Sequence, residues 1–307
     1  MAATQGTIQP GAVSLGGGSR RRELGRWLFI LPVVLLNLVV IVGPAFFGVY
    51  IAFTDWSGVG SMNFVGLENF GRLLQDQVFW KALRNNLVWT AIFLVVPIVL
   101  GLLGAYMLTG IRRGQMFMRV AFFVPYVLPS VVTTHIWRYL MHPRVGLGQW
   151  LSDSFGIDFL DKAWLGSRDT ALYGIAFMDN WHFWGFPLVL LLAAMSAVDV
   201  ELYEVARLDG ASRFQQFRHV TLPSIRPTLV FLLLMIAIWS ALVFDYIFLT
   251  TGGGPANASE VMGTHLYTTA FERFQTGYAA TIGLVMVLWV ALVVGGFVYL
   301  RKRGWEI

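Results

Sequence analysis

Asp179, Asn180, Trp181, His182 and Trp184 sit inside an otherwise apolar stretch, and Trp239, Ser240, Phe244, Asp245 and Tyr246 sit inside another. An ionisable group within an apolar span is costly to bury, and is a functional-site candidate for that reason. The residue types suit one ligand chemistry. Carboxylates, amides and hydroxyls exchange hydrogen bonds with a hydroxyl-rich ligand, while aromatic faces stack on its C–H surfaces. Positions 179, 182, 183 and 186 share a helical face, so Asp179 and His182 can point the same way. A second reading stands beside this one. The polar groups would then tie helices together, and Asp245, near the end of its stretch, would hold the glycine-rich loop that follows.

Other chemistry is not visible. Cysteine is absent, so the chain has no disulfide, thiolate ligand or thiol nucleophile. No phosphate-binding loop occurs. Lys81, Lys162 and Lys302 are not preceded by glycine, and Gly16-Gly17-Gly18-Ser19 reads as linker. Neither H-E-x-x-H nor G-x-S-x-G is present, and His135, His142, His182, His219 and His265 are scattered. The chain is not expected to catalyse a reaction or to bind a metal or cofactor of its own.

The elements that carry these residues are apolar spans. The 307 residues are 57% apolar and 13% charged, with mean hydropathy +0.66, where a soluble chain carries about 25% charged residues. A helix needs roughly 20 apolar residues to cross a bilayer. Six stretches qualify: about Trp27 to Phe53, Leu87 to Leu108, Val120 to Leu140, Ala171 to Met195, Thr228 to Leu249 and Tyr278 to Leu300. An all-α integral membrane fold with six transmembrane helices is predicted. The third and fourth hold Pro125, Pro129, His135, Asp179, Asn180 and His182, which are tolerable only against protein or a water-filled cavity. Pro125 and Pro129 should bend the third, and Gly101 with Ala105 should allow a close helix contact.

Six spans put both termini on one side. That side holds Arg20, Arg21, Arg22 and Arg26, then Arg112, Arg113 and Arg119, then Arg207, Arg213, Arg218 and Arg226, and Arg301, Lys302 and Arg303. These are fourteen of the 22 basic residues. It is therefore expected to be cytoplasmic. Residues 1–25 read as a disordered cytoplasmic tail, 26–303 as the membrane domain and 304–307 as a short cytoplasmic tail. The charge pattern reads as orientation in a lipid bilayer, and nucleic acid is not expected as a partner.

Between the fourth and fifth spans, at about 196–227, lies a polar insert on the same side. Val198 to Asp209 are good helix formers, and Gly210 should stop that helix. Ser212 and Gln215 form a capping box for a second helix, which Pro223 and Pro227 should end before the next span. Phe214 and Phe217 should share a face, near Leu208 and Ala211. They either dock a soluble partner or pack back on the span ends.

Glu204-Val205-Ala206-x-x-Asp209-Gly210-Ala211, then Phe217, Val220, Leu222 and Pro223, resembles the EAA loop of binding-protein-dependent ABC importer permeases. Val205 departs from the family's alanine. Phe64-Val65-Gly66-Leu67-Glu68-Asn69-Phe70, and Phe244-Asp245-Tyr246-Ile247 with Leu249 to Pro255, are similar to motifs of the carbohydrate-uptake branch, of the maltose F type or glycerol-phosphate A type. The resemblance covers about residues 25–303. It implies coupling helices that seat on an ATPase subunit, with Glu204, Ala206, Asp209, Gly210, Ala211, Phe214, Phe217 and Pro223 in that contact. It further implies a second homologous permease, two ATPase subunits that bind ATP and magnesium, an extracytoplasmic solute-binding protein and a bacterial or archaeal plasma membrane. The cargo would be a sugar, polyol or sugar phosphate. Spans nearly free of Lys and Arg lean toward a neutral one. A permease for another solute, a docking scaffold or sensor, and an ion-driven carrier are the alternatives.

Overall fold

The computed structural model describes residues 29–111, 113–157 and 161–303. The expected tails, 1–25 and 304–307, lie outside these residues, as do Trp27 and Arg112. Among the described residues every regular element is helical, apart from one isolated bridge between Thr54 and Phe64. The chain divides into two compact units, 1–50 and 51–307. The first holds most of α1 (Phe29–Ile51), a 23-residue apolar helix with one wide turn at Leu38–Val42.

The second unit opens with α2 (Glu68–Gln75) and the 33-residue α3 (Gln77–Thr109). Asp76 separates them. One of its oxygens accepts from the Val78 and Phe79 amides at 2.8 and 3.2 Å, which caps α3. The expected third span is two helices, α4 (Gln115–Val127) and α5 (Ser130–Leu140), meeting at 96°. Pro129 makes that turn by holding Leu128 extended (φ −69°, ψ 137°), while Pro125 stays inside α4. After α6 (Leu147–Phe155), helices α7 (Ala171–Phe183) and α8 (Gly185–Ser196) run through Trp184 as one apolar stretch of 26 residues.

The polar insert supplies α9 (Val200–Leu208) and α10 (Arg213–Ser224), and α11 (Arg226–Ala241) leaves α10 at 67°. As expected, α10 ends beside Pro223, one residue later at Ser224. A π turn over Phe217–Thr221 widens the helix ahead of it, which accommodates the proline ring and its missing N–H. Pro227 then begins α11. The expected fifth span is interrupted at Leu242, Val243 and Phe244 before α12 (Asp245–Thr250). Helices α13 (Met262–Tyr267) and α14 (Thr276–Lys302) follow. Among the described residues, four helices are long and apolar enough to cross a membrane, and up to six spans result if each bent pair is one.

Helix α3 packs most extensively along α8, then against α11. Glycine permits this. A Cβ at Gly101 would press on Pro187 and the Leu188 backbone, and one at Gly185 would overlap the Phe122 carbonyl of α4. Ile175, Met178, Leu188, Leu191, Leu232 and Ile236 fill the core between them. Leu288 and Leu292 of α14 are exposed, an arrangement suited to lipid.

At the end of the bundle where α3 begins, the second Asp76 oxygen accepts from His265 Nε2 at 3.0 Å and from the Tyr278 hydroxyl at 2.6 Å. The Arg72 guanidinium lies 4.3 Å from the Tyr278 ring centre. Burial holds His265 below the ordinary histidine value of 6.5. Asp76 pulls it up only in part, and Arg273 and Arg72 push it down further. Burial also pushes Asp76 up, but hydrogen bonds from Tyr278, the Phe79 amide and His265 outweigh it and leave the carboxyl below its usual range. As pH falls through 6.5, the unfolded chain takes up a proton that folded His265 refuses, so stability declines. The Asp76 contribution is lost only in stronger acid. The melting temperature in detergent should therefore drop between about pH 7 and pH 5. His265→Asn should flatten that slope, and an unchanged slope would remove His265 from the account.

Candidate functional site

A cavity of about 320 Å³ opens where α3, α4, α7 and α11 meet the interruption before α12. Two broken helices create it. At the α4–α5 turn the Leu128 carbonyl is freed, and His182 Nε2 donates to it at 3.1 Å. A neutral His182 therefore presents a bare Nδ1, 3.9 Å from Asp179 Oδ1 and too far for a hydrogen bond. At the second break, buried Asn86 of α3 donates to the Ser240 and Ala241 carbonyls at 3.2 and 3.4 Å. Its own oxygen accepts from the Met262 amide at 2.8 Å. Gly263 then lies so close that a Cβ there would sit 2.7 Å from the Val243 carbonyl oxygen. Irregular backbone at membrane depth is tolerated where such partners and a cavity receive it.

Of the expected pathway residues, Asp179, His182, Trp239, Ser240, Asp245 and Tyr246 line this cavity together. His182 does both things the sequence left open, since it ties two helices and faces the cavity. Tyr246 is only 6% exposed, and its hydroxyl lies beside that of buried Thr133. Asn180, Trp181 and Trp184 do not line it. Buried Asn180 donates to the Ala176 carbonyl of its own helix at 2.7 Å. Trp181 packs edge-on against Trp137, and Trp184 packs against Phe122. Consecutive residues point around a helix, so a run of polar and aromatic side chains cannot share one face.

The cavity also includes Trp89, Phe93 and Tyr126, which the sequence reading missed. Trp89 and Phe93 stack at 5.1 Å, and Tyr126 lies 5.6 Å from His182. The signal was present in α3, where Asn86, Trp89 and Phe93 follow one another at helical spacing.

The insert between α8 and α11 forms a second surface. Asp199 caps α9 through the Glu201 amide at 3.0 Å. Gly210, at φ +79°, ends that helix. The Ala211 amide reaches the Ala206 carbonyl at 2.9 Å and the Gly210 amide reaches Arg207 at 3.1 Å, the hydrogen-bond pair of a Schellman motif. The expected capping box is complete, with Ser212 and Gln215 bonded both ways. Tyr203 and Thr221 hydroxyls meet at 2.9 Å and pin α9 to α10. Asp209, Gly210, Ala211 and Gln216 help enclose a hollow of about 310 Å³ beside the turn. Glu204 and Pro223 are exposed.

Phe214 and Phe217 do not share a face. Phe217 turns inward and meets Tyr106 of α3 edge-on at 5.0 Å. Phe214 is 69% exposed and Leu208 88%. Three residues of α-helix set the two side chains about 60° apart around the axis, enough for one to face the bundle and the other solvent.

The family model described as binding-protein-dependent transport system inner membrane component matches residues 98–303. The chain is 33% identical to a probable ABC transporter permease of Pyrococcus horikoshii, over 91% of this chain and 96% of that protein. It is 34% identical to the diacetylchitobiose uptake system permease NgcF of Streptomyces coelicolor, over 96% and 88%. Its fold is similar to a solved bacterial ABC transporter involved in import of the acidic polysaccharide alginate. That match has a TM-score of 0.80 at 22% identity, and covers 94% of this chain and 98% of that one.

Proposed function

The chain belongs to the binding-protein-dependent transport system inner membrane components, the permeases of ABC importers, and we propose that its cargo is a saccharide. One observation carries this reading. The cavity at the two helix breaks sets Asp179, Ser240, Asp245 and Tyr246 among the faces of Trp89, Phe93 and Trp239. Hydroxyl groups need the first set, and sugar C–H faces need the second. The kinship with a diacetylchitobiose permease supports the same class. A polar cavity of this kind weighs against a docking scaffold.

The α9–α10 surface, with Glu204, Leu208 and Phe214 exposed, is the proposed seat on an ATPase. Two such ATPases, which bind ATP and magnesium, a second permease and an extracytoplasmic binding protein complete the assembly. The charge count supports a cytoplasmic position for this surface and both termini. ATP binding would close the ATPases, move α9 and α10, and switch the cavity from one side to the other.

One preparation tests both points. The tagged chain, carrying Ser212→Cys as its sole cysteine, is labelled with an impermeant maleimide and purified in mild detergent from native membranes. Labelling in inside-out vesicles alone, with recovery of an ATPase, a second permease and a binding protein loaded with saccharide, is expected. Recovery of the chain alone would favour an ion-driven carrier or scaffold. A binding protein loaded with an amino acid or peptide would replace the saccharide.

A further inference from the structure

We propose that Phe244, Phe248, Tyr267 and Phe271 form a rail of aromatic rings, along which a saccharide passes between the cavity and the end of the bundle away from the insert. The proposal rests on the reading of the cargo as a saccharide. The rings follow one another without a gap. Phe244 and Phe248 stack with centres 4.9 Å apart and planes 18° apart. Tyr267 meets both, at 5.4 and 4.9 Å, and Phe271 meets Tyr267 at 5.0 Å.

Helix α3 fixes the depth of each end of this row. Phe244 lines the cavity, beside the break that Asn86 supports. At the other end, His265 of α13 meets Asp76 at the start of α3, and Tyr267 and Phe271 come just after it in the chain. Ten residues separate Asn86 from Asp76, about 15 Å of helix. The row therefore leads from the cavity wall to the end of the bundle. A membrane anchor needs a ring at the interface, but it has no need of rings that continue into a polar cavity.

Exposure and strain point the same way. Phe248 is 37% exposed and Phe271 64%, so both offer open ring surface. Phe274, in the turn that follows, is 62% exposed and holds φ +53°. Glycine enters that left-handed region freely, whereas a bulky residue does so at a cost. Strain of this kind persists where the side chain has a use, and here it keeps another ring in the open. A ligand in transit must be held weakly at several places. The row suits this, because the Tyr267 hydroxyl is its sole polar side-chain group. Sugar C–H faces can pass from ring to ring, and the hydrogen-bonding groups wait in the cavity at Asp179, Ser240 and Asp245.

The test is uptake by the complete importer in proteoliposomes, supplied with its binding protein. Radiolabelled maltotriose, diacetylchitobiose and xylotriose are the probes. F248L/F271L keeps the apolar bulk and removes two open ring faces. Uptake of the probe that wild type moves should fall at least about fivefold. F248W/F271W restores flat faces and should recover at least about half of wild-type uptake. Unchanged uptake by F248L/F271L would overturn the rail, and is the result expected of membrane anchors. Equal loss in both double variants, with less assembled complex, would also overturn it and make the row a packing surface. A diazirine-bearing form of the same probe keeps the question open to wild type where F248L/F271L fails to assemble. It should label a peptide containing Tyr267 or Phe271 during turnover, and labelling of the cavity alone would overturn the rail. A preparation that hydrolyses ATP but moves none of the three probes would instead overturn the saccharide reading, and the rail with it.

Discussion

Glu204→Lys abolishes uptake while the chain remains in the membrane at wild-type abundance. Glu204 is exposed on α9, in a helix pinned to α10 by Tyr203 and Thr221. Nothing in the fold needs its charge, so reversing it leaves the chain intact. In the proposed seat on the ATPase, an uncompensated buried charge costs about 3–5 kcal/mol, a loss of roughly 100-fold or more in coupled transport. Gly210→Pro should act alike by another route. Gly210 holds φ +79° and donates its amide to Arg207, whereas proline fixes φ near −65° and has no amide to give. The two variants are checked by uptake and by binding-protein-stimulated ATPase activity, with surface abundance as control. Normal uptake by both would defeat the assignment of this surface to coupling.

Asn86→Leu should be the most damaging substitution of similar volume in the bundle. The Asn86 side chain is fully buried and serves three backbone groups at once, the Ser240 and Ala241 carbonyls and the Met262 amide. Leucine leaves all three without a partner, at about 1–3 kcal/mol each. The break before α12 then loses its support, and with it the cavity wall from Leu242 to Tyr246. Thermal unfolding in detergent should move down by roughly 10 °C or more. A shift of under about 3 °C would show that the break stands without Asn86.

The spans were legible because lipid demands long apolar runs, and the turn at Pro129 was legible because proline acts on its immediate neighbour. The interruption at Leu242, Val243 and Phe244 was not. Those residues are as apolar as the rest of their stretch and contain neither glycine nor proline. What breaks the helix comes from far along the chain, Asn86 on one side and Gly263 on the other. Trp89 and Phe93 were missed for a related reason, since aromatic residues in an apolar span read as core. In the insert, the sequence placed the Gly210 stop and the Ser212 capping box, both local events. It placed Phe214 and Phe217 together because they are three residues apart, but that spacing leaves about 60° between them, and Tyr106 of α3 takes Phe217 inward.

Helix α3 gives the arrangement a mechanical property. It touches Phe217 through Tyr106 near one end, and holds the Ser240 and Ala241 carbonyls through Asn86 nearer the other. Twenty residues separate those two contacts, about 30 Å of continuous helix. Such a rod works as a lever. A tilt of about 5° swings one contact by roughly 2.5 Å relative to the other over that length. Pro97 lies between the two contacts and removes one hydrogen bond of the helix there, so the two halves of the lever can also flex about that point.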